Sequence, residues 1–79
     1  MTISKAISTR IINICKEKNI SINKLANISF FTQSTLQSIV SGDSGNTKLL
    51  TIYRVCYGLE ISLEEFFSDE IFNDLDLKI

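Results

Sequence analysis

Apolar residues in this chain recur at steps of three and four and almost never alternate. Ile7, Ile11, Ile14 and Cys15 form one such run; Leu36, Ile39 and Val40 form another. An α-helix turns once in about 3.6 residues, so this spacing lays one apolar stripe along a helix, whereas a half-buried strand would need alternation. The 79 residues contain no proline, so no helix interior is broken by one. The predicted class is therefore all-α, with five short helices in one domain. A hydrophobic share of 44% suits a packed globule. A core of this size is often worth only about 3–5 kcal/mol, which makes dimerisation a natural supplement.

Local signals predict where the helices begin and end. The first runs from about Ser4 to Lys18 and stops at Asn19, a residue that tolerates the left-handed conformation. Ser21 is the cap for a short second helix, Ile22 to Ile28, with Ala26 small enough for a close crossing. Thr32 caps a third helix that runs to a stop at Gly42. After a loop at DSGN, Asn46 or Thr47 caps a fourth, from about Lys48 to Tyr57. It is so crowded with apolar residues that it is expected to be central and largely buried, with Gly58 loosening its end. Ser62 caps the fifth, whose Glu64 and Glu65 sit where the helix dipole favours anions. The remaining segment, 69–79, sets Ile71, Phe72, Leu75 and Leu77 among acids. It reads as a short amphipathic piece that docks on the domain or on a partner, giving a division into residues 1–68 and 69–79.

Several function classes are disfavoured. Without histidine, and with only Cys15 and Cys56, a zinc site has almost no ligands, so no metal or other cofactor is expected. Both cysteines lie in apolar runs and read as small buried hydrophobes of an intracellular protein. No run approaches the roughly 18 apolar residues of a membrane span, and the N-terminus lacks a secretory apolar core, so a cytoplasmic location is expected. There is no nucleophile elbow or phosphate-cradling glycine loop, so the chain is not expected to be an enzyme, and no small-molecule pocket is evident.

The net charge of −1 conceals an asymmetry. Residues 1–39 carry Lys5, Arg10, Lys16, Lys18 and Lys24 against Glu17, a net of +4. Residues 40–79 carry Lys48, Arg54 and Lys78 against eight acids, a net of −5. Such a chain would attract a polyanion on one side and repel it on the other, although ordinary surface dispersion also produces halves like these.

The stretch Ser21–Gly42, SINKLANISFFTQSTLQSIVSG, places two capped helices about three residues apart. The major groove of duplex DNA admits one helix while a second lies across it and holds the backbone. On the second of these helices Gln33, Ser34, Gln37 and Ser38 share the polar face at helical spacing. All four side chains both donate and accept hydrogen bonds. A glutamine can bond adenine N6 and N7 together, worth about 1–3 kcal/mol of discrimination, and Thr35 offers a methyl for thymine. A merely polar surface face remains open on this feature alone, although such faces more often carry Lys and Glu pairs.

The pieces RIINICKEKNIS, KLA, TQSTLQSIVSG and NTK…VCYGLEISLEEFF, spanning about Arg10 to Phe67, resemble the Cro/C1-type (XRE-like) helix-turn-helix family. The resemblance implies a compact five-helix domain of the lambda repressor-like DNA-binding fold. It implies a transcriptional regulator, a repressor, binding a double-stranded operator as a homodimer. It places Gln33, Ser34, Thr35, Gln37 and Ser38 at base edges. It places Ser21, Ile22, Asn23, Lys24, Thr32, Asn46, Thr47 and Lys48 at phosphates. Arg10 either reaches a phosphate or makes a structural ion pair, but Val40 stands where the family's acid partner would be. Phe30 replaces the turn glycine, Thr47 the proline of the fourth-helix cap, and Glu60 a late glycine. A positive φ at Phe30 would cost about 1–2 kcal/mol. An antitoxin-like or adaptor module, using the acidic tail on a protein partner, is the alternative function.

Overall fold

The computed structural model describes residues 1–41 and 47–77. Five α-helices follow one another: α1 (Ile3–Lys18), α2 (Ile22–Ile28), α3 (Gln33–Val40), α4 (Leu49–Leu59) and α5 (Leu63–Phe66), with a 3-10 turn at Glu70–Phe72. No strand occurs among the described residues.

The helix starts are set by hydroxyl caps. Thr2, Ser21, Thr32 and Ser62 have extended backbones, and each side-chain oxygen accepts the N–H three residues on. That satisfies one of the donors a helix start leaves orphaned. Asn19 ends α1 at φ 57°, ψ 45°, with its N–H on the carbonyls of Cys15 and Lys16. The core gathers the stripe of every helix: Ile7, Ile11, Ile14 and Cys15 of α1, Leu25 and Ala26 of α2, and Leu36 and Ile39 of α3. Ile52, Val55, Cys56 and Leu59 of α4 and Phe66 of α5 complete it. Both cysteines are free and buried. Burial pushes the Cys56 thiol up to about 11 and raises that of Cys15.

Helix α4 departs from expectation in three ways. Its N-cap is Lys48, which makes no side-chain cap bond, because lysine carries no acceptor. Thr47 precedes the cap, and Asn46, like Gly42, lies outside the described residues. Gly58 does not loosen the end; α4 passes through it and stops at Glu60, whose φ is 59°. The glycine is needed for proximity, since a Cβ there would collide with the Ser29 hydroxyl at the end of α2. Finally, α4 buries one face only. Leu49, Leu50, Tyr53 and Tyr57 are exposed.

The C-terminal segment folds back on its own domain. Phe72 joins Phe66 and Phe67 in an aromatic cluster with centroids 5.0–5.9 Å apart. Farther on, the Asp76 N–H donates to the Met1 carbonyl at 2.9 Å, and its carboxylate meets the N-terminal ammonium at 3.2 Å. Leu77 is left exposed.

Candidate nucleic-acid interface

Helix α3 turns Leu36 and Ile39 into the core and leaves Gln33, Ser34, Thr35, Gln37 and Ser38 exposed. Gln33, Ser34, Gln37 and Ser38 line one open concavity together with Ser41. Thr35 is not among the lining residues; its hydroxyl lies 2.8 Å from that of Thr32 and its N–H donates to the Thr32 hydroxyl at 3.2 Å. The face carries no ionised side chain, so whatever attracts a polyanion must come from elsewhere.

Of the expected backbone-contacting residues, Thr32 caps α3 itself and the others described lie at the starts of α2 and α4. Ser21 caps α2, accepting the Lys24 N–H at 3.1 Å; Asn23 and Lys24 are exposed, and Ile22 is half-buried against the core. Lys24 lines a groove with Lys18, Ile20, Ile28, Gly58 and Glu60, and so does not join the α3 concavity. Lys48 is exposed at the start of α4, with Thr47 half-buried before it. Asn46 is outside the described residues.

Two side chains that local patterns did not single out fix α3 in place. At its C-terminal end the buried Ser8 hydroxyl of α1 donates to the Val40 carbonyl. At the turn before it, Arg54 of α4 donates to the Phe30 carbonyl and lays its guanidinium 4.5 Å from the centroid of the Phe31 ring. The turn does take positive φ, 62° at Phe30, and the Phe31 N–H closes it on the Ala26 carbonyl at 2.9 Å. Phe31 packs on the core while Phe30 is 73% exposed. A lone cation inside the apolar run LLTIYRVCYGL was the available signal for Arg54.

Arg10 is engaged within its own domain. Its side chain is only 12% exposed. Nε donates to the Phe66 carbonyl and Nη2 to the Glu65 carbonyl, both at 2.8 Å, while Nη1 pairs with Asp69 at 3.4 Å. With Val40 in the place of the usual acid, the arginine caps the end of α5 and holds the tail instead. Among the described residues no helix is long and apolar enough to cross a membrane.

Two capped helices joined by the four residues Ser29 to Thr32, the second with a polar outer face, define a helix-turn-helix unit. The sequence model of the Cro/C1-type HTH DNA-binding domain matches residues 10–70, and the chain belongs to that family. The crystal structure of prophage Lp1 protein 11 superposes with a TM-score of 0.82, covering 95% of this chain and 99% of that one at 28% identity. No curated protein matches the chain in sequence.

Proposed function

We propose that this domain is a sequence-specific transcriptional repressor that seats α3 in the major groove of a double-stranded operator. The observation that carries the reading is the uncharged outer face of α3, exposed as one surface on a helix anchored at both ends. Gln33, Ser34, Thr35, Gln37 and Ser38 would meet base edges. Ser21, Ile22, Asn23, Lys24, Thr32, Asn46, Thr47 and Lys48 would meet phosphates, with Lys24 and Lys48 supplying the charge. A two-fold operator then calls for a homodimer of this cytoplasmic, non-catalytic protein. Residues 1–68 would form the DNA-binding unit and 69–79 an appended segment. An antitoxin-like or adaptor role has less support, because the acidic tail that would recruit a partner makes its contacts to this domain. Selection of bound duplexes from a random pool at low salt tests the proposal. It predicts one enriched motif; no enrichment by a chain shown to be folded would sink it.

A further inference from the structure

Helix α4 is apolar on nearly every side, a pattern that in a soluble protein marks a helix covered all round. The domain covers only part of it. Ile52, Val55, Cys56 and Leu59 face the core, Gly58 abuts Ser29, and Arg54 turns to Phe30. Leu49, Leu50, Tyr53 and Tyr57 remain 53–65% exposed. At about 100° per residue these four occupy one arc of roughly 100°. No charged residue falls between Leu49 and Tyr57 except Arg54, whose guanidinium is already engaged.

We propose that the α4 ridge Leu49–Tyr53–Tyr57 is the surface on which a second copy of this chain packs, antiparallel and about a two-fold axis at Tyr53. This rests on the homodimer of the proposed function and names the surface that would form it; the apolar residues Ile71, Phe72 and Leu75 of the tail are already half-buried on their own domain.

The ridge is self-complementary. Its members are spaced by four, symmetrically about Tyr53, so a two-fold operation sets Tyr53 on Tyr53 and Leu49 on Tyr57 of the other copy. Interdigitated i±4 ridges are the commonest helix–helix packing, with axes crossing near −50°. The ends agree with the direction. Lys48 precedes the ridge and Glu60 follows it, so antiparallel copies bring unlike charges near each other, whereas parallel copies would stack like on like. The four side chains expose roughly 500 Å² per copy, so full coverage buries about 1,000 Å² in a pair, the lower bound for a specific interface, and flanking residues such as Lys48 and Glu60 add to it.

Charge exchange at the axis tests it. Tyr53→Lys and Tyr53→Glu each place like charges face to face, and each should weaken self-association about 100-fold in sedimentation equilibrium of the full chain. Mixed one to one, the two variants should dimerise again, because only unlike charges then meet. Tyr53 is exposed, so both should melt like the native chain; Leu49→Glu mixed with Tyr57→Lys tests the same register should either fail to fold. A native chain still monomeric at about 1 mM overturns the proposal. So does a dimer that survives both single variants, or a mixture that stays monomeric. A native chain that stays monomeric would also remove the homodimer from the proposed function, whereas a dimer that survives both single variants would move only the interface; base reading by α3 is judged separately by the duplex selection.

Discussion

Arg54 Nη2 donates to the carbonyl of Phe30, the one non-glycine residue in the turn between α2 and α3 whose φ is positive. The bond joins α4 to the approach of α3, and the same guanidinium stacks over Phe31. A turn that lacks the family's glycine is therefore held from outside by a cation 24 residues away in sequence. The strain of about 1–2 kcal/mol at an L-residue in this region persists because the surroundings determine it.

Phe30→Gly should release that strain. The ring is mostly exposed, so little packing is lost, and the added freedom of glycine in the unfolded chain offsets part of the gain. A net stabilisation of about 0.5–1 kcal/mol is expected in urea unfolding. A lower midpoint would mean that the exposed ring stabilises the fold. Arg54→Met should cost about 1–2 kcal/mol through the unpaired carbonyl and the lost ring contact.

Ser29 and Gly58 should be coupled. The Ser29 hydroxyl is buried with no hydrogen-bond partner, so Ser29→Ala should be neutral or stabilise by about 1 kcal/mol. Gly58→Ala alone should destabilise by about 1–3 kcal/mol, because the new methyl meets that hydroxyl. In the Ser29→Ala background the shortest collision is removed and the closest remaining neighbour is Ile28 Cγ1 at 3.2 Å, so most of the penalty should disappear, offset further by the helix preference of alanine over glycine, about 1 kcal/mol. A double-mutant cycle with no coupling would contradict the close approach of α2 and α4.

The buried thiol of Cys56 gives a pH dependence of definite sign. Its folded value, about 11, lies above that of an exposed thiol, so the unfolded chain loses the proton first. The contribution is fully present below about pH 8.5 and declines as pH rises toward 11. Urea midpoints measured across that range should fall more steeply for the native chain than for Cys56→Ala. Parallel curves would show that Cys56 does not contribute.

Within the DNA-reading proposal, Gln33→Ala should relax the base preference by about 1–3 kcal/mol at one or two positions and leave melting unchanged. Equal loss on every sequence would argue against base reading. Lys48→Ala should weaken binding to all duplexes and flatten the salt slope by about one unit. An unchanged slope would remove Lys48 from the phosphate contacts.

What the sequence determined by itself was local. The caps at Ser21, Thr32 and Ser62 and the left-handed stop at Asn19 need only a hydroxyl and an amide three residues apart, or one residue's own backbone preference. The exposed face of α3 was legible for the same reason, because the period of a helix sorts Leu36 and Ile39 from Gln33 and Gln37. The tertiary structure decided what depends on residues far apart in the chain. Arg10 was assigned by carbonyls 55 and 56 positions away, which no local pattern encodes. Arg54 found Phe30 across α2 and α4, and Ser8 found Val40 across α1 and α3. The apolar count of α4 predicted a central, largely buried helix, but a count cannot say which side the neighbouring helices reach. The fold covers the side that carries Ile52, Val55, Cys56 and Leu59, and leaves the arc from Leu49 to Tyr57 exposed, because burial depends on where the other helices pack and not on the composition of α4 itself.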